Sequence, residues 1–192
     1  MGILRVDQAT EVAHMAVMAG ADMIQLRDKR PLSPEVLKSA VALRKLARKN
    51  NVLFIVNDRA DVAVAAHSDG LHIGQSDISA SLARGLIGSD MLLGISATNI
   101  KEAVLAKQQG ADYVGAGPVF KTPIKNGRKA RGAGLLRKLK KLGIPFFAIG
   151  GINSANIRKL AQEGFHRFAV IRAICGSADP FNATKMLKKA CL

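Results

Sequence analysis

Ala19-Gly-Ala-Asp-Met-Ile-Gln-Leu-Arg27 is a phrase that this chain uses four times in variant forms. It returns as His67-Ser-Asp-Gly-Leu-His-Ile-Gly74, as Gln109-Gly-Ala-Asp-Tyr-Val-Gly-Ala-Gly117 and as Glu163-Gly-Phe-His-Arg-Phe-Ala-Val-Ile171. In each, the glycine is expected to end an amphipathic helix in a left-handed cap. The apolar run behind it reads as a buried parallel strand. Further short apolar strands are expected at 51–56, 91–95 and 145–149, and helices near 11–19, at 34–49, 60–66, 100–109, 134–142 and 155–162. Regular alternation of strand and helix predicts a parallel sheet with helices outside. The units outnumber what a five- or six-stranded open sheet needs, and the first carries no Gly-x-Gly-x-x-Gly fingerprint of a dinucleotide fold. The expectation is an α/β chain folded as a (β/α)8 TIM barrel, one domain over residues 1–192. Only Gly2-Ile-Leu-Arg-Val6 precedes the first helix, so the first strand is expected to be short or missing.

Composition narrows the class. The 192 residues are 48% hydrophobic and 22% charged, the balance of a globular domain. No apolar stretch reaches the ~20 residues of a membrane span, and no signal-peptide pattern opens the chain. Cys175 and Cys191 suggest no disulfide framework, so a reduced, cytoplasmic setting is expected. The net charge of +15 brings nucleic acid into question. With no Trp, a single Tyr and no nucleic-acid motif, base stacking has few platforms, and nucleic acid is not expected as the main partner.

Polar residues gather where the strands end. Phe54-Ile-Val-Asn-Asp58 and Leu71-His-Ile-Gly-Gln-Ser-Asp77 each run from apolar strand to carboxylate. In α/β folds that edge binds ligands, so Asp58 and Asp77 could hold a divalent cation. Both also precede helices, and as N-caps they would need no ligand. Both readings stay open at this point. Alternation along Gln25-Leu-Arg-Asp-Lys29 puts Gln25, Arg27 and Lys29 on one side, toward the barrel mouth, where they suit a phosphate or pyrophosphate. The plainer reading is a surface salt-bridge cluster around Asp28. Gly115-Ala-Gly-Pro-Val-Phe-Lys-Thr-Pro-Ile-Lys125 runs from a strand into a long Gly- and Lys-rich loop, a candidate lid in which Thr122 and Lys125 can reach an anion. Ala148-Ile-Gly-Gly-Ile-Asn153, before a helix expected near Ser154, stands where barrels bind phosphate through backbone N–H groups. His14, His67, His72 and His166 have no metal-ligand spacing, and no nucleophilic triad is present. His72 lies in the strand that leads to Gln75 and Asp77, and reads equally well as a core histidine.

Taken in order, these motifs resemble the thiamine-phosphate synthase family, which is shared with the TenI-type thiazole tautomerases. The resemblance rests on Gln-Leu-Arg-Asp-Lys, Val-Asn-Asp-Arg-Ala-Asp-Val-Ala, Gly-Leu-His-Ile-Gly-Gln-Ser-Asp, Gly-Ile-Ser, Gly-Ala-Asp-Tyr-Val-Gly-Ala-Gly-Pro-Val-Phe-Lys-Thr-Pro-Ile-Lys and Ala-Ile-Gly-Gly-Ile-Asn. It implies a phosphate-binding barrel and a transferase. The reaction would join hydroxymethylpyrimidine diphosphate to hydroxyethylthiazole phosphate through a pyrimidine methylene cation. It implies Mg²⁺ held by Asp58 and Asp77, and a diphosphate held by Arg27, Lys29, Asn57 and Lys125. Gln25 and Ser96 would face the pyrimidine, and Thr122, Gly151, Ile171 and Arg172 the thiazole phosphate. The chain departs from the family pattern at Ile124, where the lid usually has a second threonine, and at Arg172, where serine is frequent. A thiazole tautomerase and a catalytically degenerate barrel binding phosphate or nucleic acid are the alternatives. The partners implied are phosphorylated small molecules, with a homo-oligomer left open.

Overall fold

The computed structural model describes residues 2–4, 9–28, 30–122 and 130–191. Eight strands form one sheet in the order of the sequence: β1 Gly2–Leu4, β2 Met23–Leu26, β3 Leu53–Asn57, β4 Gly70–Ile73, β5 Leu92–Ala97, β6 Tyr113–Ala116, β7 Phe146–Ile149 and β8 Phe168–Ala169. Every neighbouring pair is parallel, and helices connect them. The helices are α1 Ala9–Met18, α2 Pro34–Lys49, α3 Ala60–Ala65, α4 Ala80–Ile87, α5 Ile100–Gln108, α6 Gly132–Lys141, α7 Ile157–Gln162, a short α8 Arg172–Cys175 and α9 Pro180–Ala190. This is the expected TIM-barrel architecture. The first strand is short but not missing: Ile3 stands opposite Gln25 and Leu4 opposite Leu26.

Local signals explain the helices. Ser33 accepts a hydrogen bond from the Val36 N–H at 3.4 Å, Pro34 opens α2, and Arg48 and Lys49 close it against the dipole. Its Val36, Ala40, Leu43 and Ala47 are buried at helical spacing on one face. Three of the four expected glycine caps hold, with φ of 94° at Gly20, 85° at Gly110 and 77° at Gly164. The fourth does not. After α3 it is His67 that takes φ 49°, and Gly70 lies inside β4. A Cβ on Gly70 would stand 2.5 Å from the Leu92 carbonyl oxygen, so close strand packing is what demands a glycine there.

Alternation sorts the strand residues into two layers. Phe54, Val56, Leu71, Ile73, Leu93, Ile95 and Val114 face outward and join the core shared with the helices. Met23, Gln25, Ile55, Asn57, His72 and Tyr113 are also buried, but lie outside that core and fill the interior of the barrel. Polar side chains therefore concentrate on the axis, at its C-terminal end.

Candidate active site

One half of the mouth is built by β2, β3 and β4. Gln25 and Asn57 are buried at the inner wall, Asn57 in register with His72. Asp58 follows β3 with φ 65°, a left-handed conformation that aspartate tolerates better than most residues, and its N–H donates to the His72 carbonyl at 2.8 Å. Asp77 follows β4 and accepts the Gly74 N–H on Oδ2 at 2.6 Å. Neither carboxylate is a helix cap. The N-cap of α3 is Arg59, without a side-chain bond, and that of α4 is Ser79, which accepts from Leu82. The cap reading is thereby corrected: α3 and α4 begin one and two residues too late for these aspartates to reach their first N–H groups. Both carboxylates are half-buried beside adjacent strand ends.

Beyond β2, the salt-bridge reading holds for Asp28 but not for its neighbour. Arg30 grips the Asp28 carboxylate with Nε and Nη2, at 3.0 and 2.8 Å from Oδ2. Arg59 pairs with Asp61 and also reaches the Arg30 carbonyl, which ties the turn after β2 to the start of α3. Arg27 is half-buried, and among the described residues no carboxylate neutralises it. Lys29 and Lys125 lie outside the described residues, as does the loop stretch 123–129.

In the interior, His72 bridges Ser96 Oγ at 3.0 Å and the Tyr113 hydroxyl at 3.3 Å. Gln75 donates to the Ser96 carbonyl at 2.6 Å. Burial pushes the Tyr113 phenol upward, so it stays protonated. Tyr113 was not singled out from the sequence, although two strand glycines, Gly94 beside Tyr113 and Gly115 beside His72, were a signal that something large fills their place.

The other half of the mouth is a pocket of about 260 Å³ at the ends of β6, β7 and β8. Thr122, Gly151, Ile171 and Arg172, expected together from the sequence, all line it. Its lining joins apolar side chains, Pro118, Ile149 and Ile152 among them, to the backbone of Gly150 and Gly151. Val119 and Phe120 donate to the carbonyls of Ile149 and Gly150, each at 2.9 Å. Gly151, at φ 68°, sits so near this segment that a Cβ would stand 2.6 Å from the Lys121 oxygen. The helix expected near Ser154 starts at Ile157 instead. The intervening turn is closed by asparagines, and Asn156, unforeseen from the sequence, donates to the Gly151 carbonyl at 2.9 Å.

Fold and rim together define a (β/α)8 barrel with its candidate site at the C-terminal ends of the strands. Comparison with known proteins narrows this. Residues 3–174 match the family model described as thiamine monophosphate synthase, and the chain belongs to that family. It is 42% identical over 182 residues to a thiamine-phosphate synthase of Thermosynechococcus vestitus, covering 94% of this chain and 52% of that protein. A thiamine-phosphate synthase of Chlorobium phaeobacteroides is 39% identical over 92% of this chain and 87% of its own length. The chain thus spans about half the length of the first curated relatives it matches. A solved thiamine phosphate pyrophosphorylase from Pyrococcus furiosus superposes with a TM-score of 0.90 at 35% identity, covering 99% of this chain and 94% of that one. Among the described residues, no helix is long and apolar enough to cross a membrane.

Proposed function

We propose that this chain is a transferase that condenses hydroxymethylpyrimidine diphosphate with hydroxyethylthiazole phosphate, giving thiamine phosphate and pyrophosphate. Residues 1–192 act as one barrel domain in this reading. The observation that carries it is the division of the mouth. Two carboxylates and an arginine that no described carboxylate neutralises end β2–β4, while a pocket lined in part by Gly150 and Gly151 ends β6–β8. That is room for a metal-bound diphosphate on one side and a monophosphate on the other.

Among the described residues, no group of three or more His, Cys, Asp or Glu gathers to hold a metal by itself. A pair of carboxylates is still the donor set that suits Mg²⁺, which keeps several waters and completes its shell with phosphate oxygens. Asp77 meets that need: its Oδ2 is fixed by the Gly74 N–H, which aims the carboxylate while leaving lone pairs on Oδ1. Asp58 and Asp77 would hold the ion, which when bound supplies charge neutralisation for the leaving diphosphate. Arg27, Lys29, Asn57 and Lys125 hold the diphosphate and accept its growing charge as the C–O bond breaks. Gln25 and Ser96 orient the pyrimidine so that its methylene carbon faces the thiazole nitrogen, the nucleophile that traps the cation. Thr122, the Gly151 amide and the Ile171–Arg172 segment anchor the thiazole phosphate. No protein nucleophile is needed. The cysteines suit that reading, since burial raises the Cys175 thiol to about 11 and also raises Cys191.

The test is direct: purified protein, both substrates and Mg²⁺, with thiamine phosphate and pyrophosphate measured as products. Equimolar formation of both is expected. No product, or an undiminished rate in Asp58→Asn, overturns the proposal.

A further inference from the structure

His72 on β4, Ser96 on β5 and Tyr113 on β6 meet inside the barrel below its mouth. His72 Nε2 lies 3.0 Å from Ser96 Oγ and Nδ1 lies 3.3 Å from the Tyr113 hydroxyl. The two rings are tilted by 33° at 5.6 Å, and Tyr113 packs edge-on against Phe147 at 5.3 Å. Space for this group is cut out of the neighbouring strands. A Cβ on Gly94 would stand 2.2 Å from Tyr113 Cζ and 2.5 Å from His72 Nδ1, and one on Gly115 3.0 Å from His72 Cε1. An interior that needed only filling would be met at lower cost by apolar side chains, since buried polar groups destabilise unless each is paired.

The hydrogen bonds have a direction. The Tyr113 O–H is buried, and His72 Nδ1 is its side-chain acceptor among the described residues. Leaving a buried donor unmade is costly, so the phenol donates to Nδ1. That fixes the neutral imidazole as the Nε2–H tautomer. Nε2–H then donates to Ser96 Oγ, which occupies one lone pair and leaves the serine hydrogen available. Ser96 is half-buried, and Gln75 holds its carbonyl. Its remaining freedom is to send that hydrogen toward the mouth.

We infer that Tyr113 and His72 form a one-way hydrogen-bond relay that sets Ser96 as a donor, so that the substrate atom it reads is an acceptor such as a pyridine-type ring nitrogen. Tyr113 and His72 are positioning residues, acting through Ser96. The relay itself is a property of the chain. Only the naming of the pyrimidine diphosphate as the molecule read rests on the proposed function.

Two measurements test it separately. With ¹⁵N-histidine labelling, two-bond N–H spectra report each ring's tautomer, and His72 is assigned by its loss in His72→Gln. The wild type is expected to show His72 as the Nε2–H form, and Tyr113→Phe to shift it toward a tautomer mixture. His72 found as the Nδ1–H form, or unmoved by Tyr113→Phe, overturns the relay whether or not the protein turns over. In steady-state assays, Tyr113→Phe and His72→Leu are each expected to raise KM for the pyrimidine diphosphate about five- to tenfold, the scale of one lost hydrogen bond. KM for the thiazole phosphate should stay unchanged. His72→Gln, whose amide N–H can replace Nε2–H, should recover most of the loss, which a purely structural role would not predict. A wild type that turns over, with both KM values unmoved in Tyr113→Phe and in a folded His72→Leu, overturns the inference. A wild type that never turns over counts against the proposed function alone, and the tautomer spectra then decide the relay.

Discussion

The two halves of the barrel mouth are made of different material. On the β2–β4 side the site is side chains: Gln25, Arg27, Asn57, Asp58 and Asp77. On the β6–β8 side apolar side chains such as Ile149 and Ile152 share the wall with backbone that glycines bring close. A Cβ on Gly117 would stand 2.0 Å from the Ile149 oxygen, and one on Gly150 2.6 Å from Pro118 Cα. In the proposed reaction the first half is chemically exacting, because its work there is to place charge. The second is chemically permissive but sterically exacting, because backbone N–H groups are useful to an anion only where nothing stands in front of them. Mutations in the two halves should therefore fail in different ways.

Asp58→Asn should have the largest effect. Asparagine is as tolerant of φ 65° as aspartate, so the backbone is spared while the charge is removed. The expected loss is at least ~100-fold in kcat, on the scale of removing one charge-stabilising group from an active site. The melting temperature should stay within about 2 °C of wild type, as for a substitution that leaves packing intact. Chelation of the divalent ion should lower the wild-type rate similarly and leave little further loss in Asp58→Asn. A variant that loses activity only in step with its stability would erase the distinction between the halves.

Gly151→Ala reverses the pattern. The new Cβ meets the Lys121 oxygen at 2.6 Å and Phe120 Cβ at 2.7 Å, on a backbone at φ 68°. The strain should cost about 1–3 kcal/mol of stability, visible as a lowered melting temperature. Because the segment carrying Thr122 must move away, KM for the thiazole phosphate should rise about tenfold. KM for the pyrimidine diphosphate should hardly change, and equal rises in the two would show that the pocket does not work as an independent half.

This difference in material also decided what the sequence could tell. The glycine-led strands were legible because a helix end followed by an apolar run is a local pattern, and seven of the eight strands lie where that pattern or a simple apolar run put them. Helices α4 and α9 were not delimited in advance, only a start just after Asp77 being expected for α4, and the short α8 was not foreseen either. Helix α4 is eight residues with Gly85 inside it, and α9 opens on Pro180 after the last strand, so neither shows a long periodic stretch. Asp58 and Asp77 stood out because strand ends are local too, but whether they cap helices depends on where α3 and α4 begin, and sequence boundaries are uncertain by more than the one or two residues involved. Tyr113 and Asn156 were not recognised because their partners, His72 and Gly151, are set by register between strands and by a turn closing on itself. Gly94 and Gly115 hinted at the first of these only as absences.

Arg27→Lys should have a smaller effect than either change above. Lysine keeps the charge but not the planar fork that grips two phosphate oxygens at once. KM for the pyrimidine diphosphate should rise about fivefold with kcat falling less, a difference of roughly 1 kcal/mol for one lost bond. No ion pair has to be broken in the free protein, since the nearby Asp28 is already held by Arg30. A gain in stability on replacement by a neutral side chain, in Arg27→Gln, would therefore point to an unfavourable charge at Arg27 in the empty site, relieved only by an anion.

Arg172→Ala should have the smallest effect, and it tests the β6–β8 half from the one charged residue described on its lining. Arg172 opens α8 at the rim of the pocket, and it is exposed. A solvated cation adds only modest attraction for a phosphate that, in the proposed complex, the Gly151 turn already cradles, and salt screens it. KM for the thiazole phosphate should rise about two- to threefold at low ionic strength. The gap from wild type should close at ~0.5 M salt, where the screening length is only about 4–5 Å. Gly151→Ala should show no such convergence, because salt cannot remove a Cβ. If the Arg172→Ala defect instead persists at high salt and exceeds that of Gly151→Ala, the phosphate is held by a desolvated guanidinium, and this half of the mouth binds through a side chain after all.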